Sequence, residues 1–269
     1  VNVVYDETRL TFGRDYIIPK PFDPRLITTI PPAVAKAAIE SGVATAPIED
    51  WDRYAEELES RLGNSQKMVR VLHDQAKAAP KRLVFAEADH MDVLKAAQIV
   101  QEEGIAHPIL LGNREIIEEL RKAIDFDEEV EIIDPKDMNH ESQRKAYAEL
   151  FWKDQRRKGY TLYDAQRLMR ERNYYASMMV KNGDADAMIS GYSRSYPTVV
   201  KPILETIAKA KGVNRVAATN LMLTKSGPLF LSDTTINVDP NAKELAKIAQ
   251  MTGKIAKLFG LEPVIALLS

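Results

Sequence analysis

From Lys81 onward, short apolar runs alternate with amphipathic stretches, and this alternation limits the possible folds more than any other feature. The runs RLVFA (82–86), HPILL (107–111), EVEII (129–133), DAMIS (186–190), VAATNLML (216–223), LFLS (229–232) and VIALL (264–268) have the length of strands. Between most of them, helices are predicted over 92–103, 114–123, 141–158 and 240–259, with Gly104, Gly159 and Gly260 closing three of the four. Strand–helix units repeated in this way build a largely parallel sheet, which buries both of its faces under helices. The predicted fold class is therefore α/β, a largely parallel sheet with helices on both faces, and 264–268 reads as a buried strand.

Residues 1–79 have a different texture. FGRDYIIPKPFDPRL places Pro19, Pro21 and Pro24 within six residues, so this segment is expected to run extended. Pro31 and Pro32 then supply the first turn of a helix over AVAKAAIES, with Gly42 after it. Asp50 caps a second helix that carries Trp51, Tyr54, Leu58 and Leu62 on one face, and Asn64 or Ser65 caps a third that Pro80 ends. A boundary near Pro80 separates this helical segment, 1–79, from the α/β domain, 80–269.

Composition removes several function classes. With a formal net charge of −2 and no basic stripe interleaved with aromatics, nucleic acid is not an expected partner. No apolar run reaches the ~20 residues that span a bilayer, and Val1 to Asp15 lack the layout of a signal peptide, so no membrane partner is expected. The absence of cysteine excludes disulfides, thiolate metal sites and cysteine nucleophiles, and suits a cytoplasmic protein. His73, His90, His107 and His140 have no metal-ligand spacing, so no metal site is expected.

Open parallel sheets take ligands at the carboxyl ends of their strands, and three such segments stand out. After the first run, Glu87, Asp89, His90 and Asp92 crowd together, and Asp89 with Asp92 reads as a helix cap rather than as a metal or acid–base cluster. After DAMIS comes SGYSRSYPT, in which Ser190, Gly191, Ser193, Arg194, Ser195 and Thr198 lead into a helix with Lys201 one turn on. Such a loop either cradles a phosphate on its free N–H groups or forms an ordinary polar turn. After LFLS, Asp233, Thr235 and Asn237 line a strand end as turn or as ligand contact, and Asp239 with Pro240 starts the last helix. Arg156, Arg157 and Lys158 read as a solvated helix end.

FGRDYIIPKPFDPRL, PPAVAKAAIESGVA and PIEDWDRY together resemble the last stretch of the malic enzyme domain in the long bacterial NADP-dependent malic enzymes. APKRLVFAEADHMDVLKAAQIVQEEGIAHPILLGN resembles the opening of the phosphotransacetylase-like domain that follows it in those proteins, and DADAMISGYSRSYPTVVKP, LSDTTINVDPNAKELAKIA and FGLEPVIALLS continue the match. The resemblance implies a phosphotransacetylase-like fold of two subdomains, here 81–213 and an incomplete 214–269. It implies a parent that oxidatively decarboxylates malate to pyruvate and carbon dioxide with NADP and Mg2+ or Mn2+. It further implies acetyl-CoA as effector, an acyl-CoA cleft between the subdomains, and a domain that dimerises within a larger homo-oligomer.

Departures from active phosphotransacetylases bear on mechanism. Where the resemblance places two arginines, this chain has Gln155, followed by Arg156-Arg157-Lys158-Gly159, and Lys201-Pro202. Both ends of the chain read as cut, with the catalysts of either reaction expected outside it. The expectation is a regulatory acyl-CoA-binding domain that is inactive alone, set against an active phosphate acetyltransferase and an oligomerisation module.

Overall fold

The computed structural model describes Ile17 and residues 25–61, 64–224 and 227–268. In chain order the elements are α1 (Arg25–Glu40), α2 (Trp51–Ser60), α3 (Asn64–Ala78), β1 (Lys81–Phe85), α4 (Met91–Glu102), β2 (Ala106–Leu111), α5 (Arg114–Ala123) and β3 (Glu131–Ile133). Then follow α6 (Glu141–Gln155), α7 (Leu162–Leu168), α8 (Arg172–Asn182), β4 (Ala187–Ile189), α9 (Tyr196–Thr206), β5 (Thr219–Thr224), β6 (Gly227–Ser232) and α10 (Ala242–Leu258). They fall into two compact units, one of Leu72–Val216 and one of Val1–Val71 with Ala217–Ser269.

The first unit is built on a four-stranded sheet in the order β3-β2-β1-β4. Every pairing is parallel, with Lys81 opposite Ala106, Leu83 opposite Ala187 and Ile109 opposite Glu131. The pleat sorts the apolar residues by face. Val84, Ile109, Leu111 and Ile133 meet Tyr147, Phe151, Ala165, Tyr175 and Met178 from α6, α7 and α8. Phe85, Leu110 and Ile132 meet Leu94, Ala97, Ile117 and Phe126 on the other side. The predicted α/β class, with helices on both faces, is the observed one. Chain order runs outward from β1 to β3 and then returns to place β4 on the opposite side of β1. The carboxyl ends of β1 and β4 are therefore the point where the order reverses, the usual location of a ligand in such sheets.

Several local expectations are corrected. Two helices, α7 and α8, lie where none was predicted. Asn173 through Met179 in α8 are all buried, so its sequence has no polar face and no one-sided period. β5 and β6 do not extend the parallel sheet. Only two residues separate them, too few for a crossover, and they pair antiparallel with Thr219 opposite Ser232. Residues 264–268 form no strand, and Val264 and Leu268 are exposed. That segment instead lies along α10, with Pro263 and Ile265 beside Gly253. α10 itself starts two residues later than expected, because Asn241 and Glu244 form a reciprocal capping box that Asp239 cannot.

In the second unit, Asp50 caps α2 as predicted, accepting from the Arg53 N–H at 2.9 Å. Leu58 on that helix is buried, and Leu62 lies outside the described residues. α1 begins at Arg25, so Pro31 and Pro32 sit inside it and not in its first turn. The extended segment expected upstream lies outside the described residues, apart from Ile17 and the helical Arg25 and Leu26.

Leu110, fully buried in β2, touches the α4–α5 face of the core. Leu110→Ala should lower stability by about 2–5 kcal/mol through lost burial and a residual cavity. Urea unfolding read at Trp152, which packs on the opposite face of the same sheet, checks this in a Trp51→Phe background.

Candidate functional site at the carboxyl end of the sheet

After β1 the chain turns over the top of the sheet. The Ala86 N–H donates to the Ile189 carbonyl at 3.0 Å and the Ala88 N–H to that of Leu111 at 3.2 Å, so both neighbouring strands hold the turn. Glu87, between them, is 1% exposed and reaches across the reversal point to the loop after β4. Its Oε1 accepts from the N–H groups of Gly191 at 2.7 Å and Tyr192 at 3.0 Å. Its Oε2 accepts from the Ser193 N–H at 2.8 Å and from the Ser193 hydroxyl. Ser190 Oγ stands 2.7 Å from Asn173 Oδ1 and 3.2 Å from Glu87 Oε1.

Consecutive backbone amides aimed at one anion form a nest, and the turn requires a positive φ at Gly191, here 107°. The loop amides do converge on an anion, and that anion is the protein's own carboxylate. Burial pushes the Glu87 carboxyl upward. The Ser193 hydroxyl and the amides of Gly191, Ser193 and Tyr192 outweigh that and hold it at about 2.

Asp89 does not cap α4, which corrects the expected role. The residue flanking that helix is His90, which makes no capping bond, and Asp89 faces Arg172 from α8. Arg172 Nη1 and Nη2 donate to the two carboxylate oxygens at 2.6 and 2.8 Å, and both side chains are largely buried. Such a two-pronged, partly desolvated pair outcompetes a local cap. Burial works against the ionised Asp89, and Arg172 more than offsets it, so the carboxyl lies below its usual range. Gly112 makes room for this pair, since a Cβ there would stand 3.2 Å from Asp89 Cγ. Asp92 accepts from the Tyr192 hydroxyl at 2.5 Å.

Beside this pair, the ends of β2 and β3 open on a cavity of about 320 Å³ that Arg194 also lines. Lys136, Arg167, Arg170 and Arg172 contribute to its wall, as do Asp134 and Glu171. Both carboxylates are already engaged with backbone. Asp134 accepts from the Lys136 N–H at 2.8 Å, and Glu171 caps α8 through the N–H groups of Asn173 and Tyr174 at 2.9 and 3.1 Å.

The remaining predicted residues lie apart. Ser195 and Thr198 share a hydrogen bond of 2.8 Å in the exposed first turn of α9. Lys201 stands 3.9 Å from Glu205, whose backbone carbonyl accepts from Gln155 and whose carboxylate accepts from the hydroxyls of Tyr160 at 2.9 Å and Tyr174 at 2.5 Å. Burial, then the Glu205 carboxylate, raises both phenols above their usual range. Asp233, Thr235 and Asn237 belong to the other unit. There Asp233 takes a left-handed conformation at φ 61° and accepts from Asn237 Nδ2 at 2.8 Å, and both border a mostly apolar cavity of about 770 Å³ between β6, α10 and 261–268. Among the described residues no three His, Asp or Glu side chains converge.

Glu87, Arg172, Lys136, Arg167 and Arg170 escaped prediction as site residues. Arg167 lies near the end of α7 and Arg170 in the turn between α7 and α8, two helices that the sequence pattern did not reveal.

Glu87 has its carboxyl lowered in the fold, so its contribution is complete above the unfolded value near 4.5 and vanishes as pH falls through about 2. The contribution amounts to about 3 kcal/mol. Urea unfolding across that range should show Glu87→Gln less stable than the parent at neutral pH, with the gap closing below pH 4.5. A gap that stays constant with pH would contradict the assignment.

Residues 67–269 match the family model described as Phosphate acetyl/butaryl transferase. Over its whole length the chain is 41% identical to an NADP-dependent malic enzyme of Haemophilus influenzae, of which it covers 36%. It therefore spans about a third of that curated relative. Over 72% of the chain it is 37% identical to a phosphate acetyltransferase of Synechocystis, covering 28% of that protein. A phosphotransacetylase from Streptococcus pyogenes superposes on 76% of the chain with a TM-score of 0.68 and 32% identity, covering 62% of that structure. The chain belongs to the phosphate acetyl/butaryl transferase family, and it matches the phosphotransacetylase-like part of the bacterial NADP-dependent malic enzymes.

Proposed function

We propose that this chain is a catalytically silent, acyl-CoA-sensing phosphotransacetylase-like domain, and that acetyl-CoA bound to it alters malate decarboxylation in the malic enzyme of which it forms part. One observation carries the silent half: Glu205 holds both residues that stand where active phosphotransacetylases are expected to carry arginine. Gln155 is uncharged and donates to the Glu205 carbonyl, and Lys201 faces the Glu205 carboxylate. Neither offers the planar two-pronged cation that suits a transferable phosphoryl group. Arg194 supports the sensing half, because it stands at a cation-lined cavity with no ion pair of its own among the described residues. NADP and Mg2+ or Mn2+ would serve the malic enzyme part, outside the residues discussed. Ligand control requires only that acetyl-CoA prefer one of two states of the whole protein.

Calorimetric titration of acetyl-CoA into the complete malic enzyme, with malate-dependent NADPH formation followed in parallel, tests this. Saturable binding accompanied by a change in the malate rate is the expected result. An unbound effector defeats the sensing role, and formation of acetyl-CoA from acetyl phosphate and CoA defeats the silent one.

A further inference from the structure

The cavity at the ends of β2 and β3 has an unbalanced wall. Five cationic side chains, Lys136, Arg167, Arg170, Arg172 and Arg194, face two carboxylates, Asp134 and Glu171. Arg172 is neutralised by Asp89. Asp134 and Glu171 accept from backbone N–H groups. Lys136, Arg167, Arg170 and Arg194 are exposed and, among the described residues, form no ion pair. With Arg172 set against Asp89, four cations face two carboxylates, a net excess of two positive charges around one recess that an anion entering between them relieves.

Position and size agree with that. The recess lies at the carboxyl end of the sheet, one strand over from the reversal point that Glu87 has closed. At about 320 Å³ it is at the small end of ligand pockets, which run from about 300 to 1,000 Å³. It suits a phosphate-bearing group and is too small for a complete coenzyme. Guanidinium forks bind phosphate oxygens in pairs, and three of the four unpaired cations on this wall are arginine.

We infer that this cavity is a polyphosphate-binding site, in which Arg167, Arg170 and Arg194, with Lys136, grip a diphosphate or closely spaced phosphate esters. Such a group could come from the phosphates of an acyl-CoA or from a separate phosphorylated metabolite. The inference stands whether or not acetyl-CoA binds.

The test uses the complete malic enzyme with inorganic pyrophosphate as calorimetric probe. Pyrophosphate should bind saturably and more weakly as salt is raised. The Arg167→Gln/Arg170→Gln double variant should bind it at least ~10-fold more weakly, the loss of about one charge-assisted bond or more. Arg194→Gln should also bind it more weakly. Arg157→Gln, on the exposed turn after α6 and outside the cavity, should bind as the parent does. If the double variant melts early, Lys136→Gln replaces it, since Lys136 is exposed. Absence of saturable binding, or equal affinity in the cavity variants and Arg157→Gln, overturns the site. Acetyl-CoA that displaces pyrophosphate identifies the group as part of acyl-CoA, and joint binding identifies a separate metabolite. Either supports the site. Pyrophosphate binding without any acetyl-CoA binding leaves this site standing and removes the sensing role proposed above.

Discussion

The top of the sheet is organised by one buried carboxylate. Glu87 carries a full charge in a place where water is excluded, and an unpaired ion there would cost several kcal/mol. Three backbone amides and a serine hydroxyl supply what water would have supplied. Because those donors sit on the loop after β4 and the carboxylate on the turn after β1, the interaction fastens the two strand ends that flank the reversal of strand order. It also decides what that crevice can do. A ligand anion cannot take the loop amides while Glu87 holds them.

A second fastening, Asp89 with Arg172, carries that rigidity to the neighbouring strands. Arg172 begins α8, and the preceding residues, from α7 onward, bring Arg167 and Arg170 to the wall of the adjoining cavity. Gly112 at the end of β2 lets Asp89 approach closely enough for the two-pronged bond. The recess with uncompensated positive charge is thus shifted away from the loop whose glycine and hydroxyls suggested a phosphate site, and Arg194 is the residue that belongs to both. In the other direction, along α9, Glu205 collects Gln155, Lys201, Tyr160 and Tyr174 into a closed network.

What could be read from the sequence was local in origin. Strands such as 82–86 and 107–111 were legible because a sheet buried on both faces leaves uninterrupted apolar runs, and α5 because 114–123 is an amphipathic stretch between two of them. α8 was not legible, since burial on all sides erases the period that marks a helix. The site was half legible for a related reason. Ser190 to Ser195 could be read either as an anion cradle or as a polar turn, and what the loop amides hold depends on Glu87, more than a hundred residues away. Asp89 looked like a cap because its preferred partner lies 83 residues downstream. In each case a contact between distant segments overrode a correct reading of local chemistry.

The account depends most on Glu87 being a charged, fully bonded occupant of the loop. Selective carbon-13 labelling of glutamate side chains and a pH titration of the Glu87 carboxyl resonance in this chain test it directly. The account predicts a resonance unchanged from neutral pH down to about 3, as befits a group held at about 2. An inflection near 4.3, about where a free glutamate titrates, would show that the loop amides do not hold it and leave them open to a ligand.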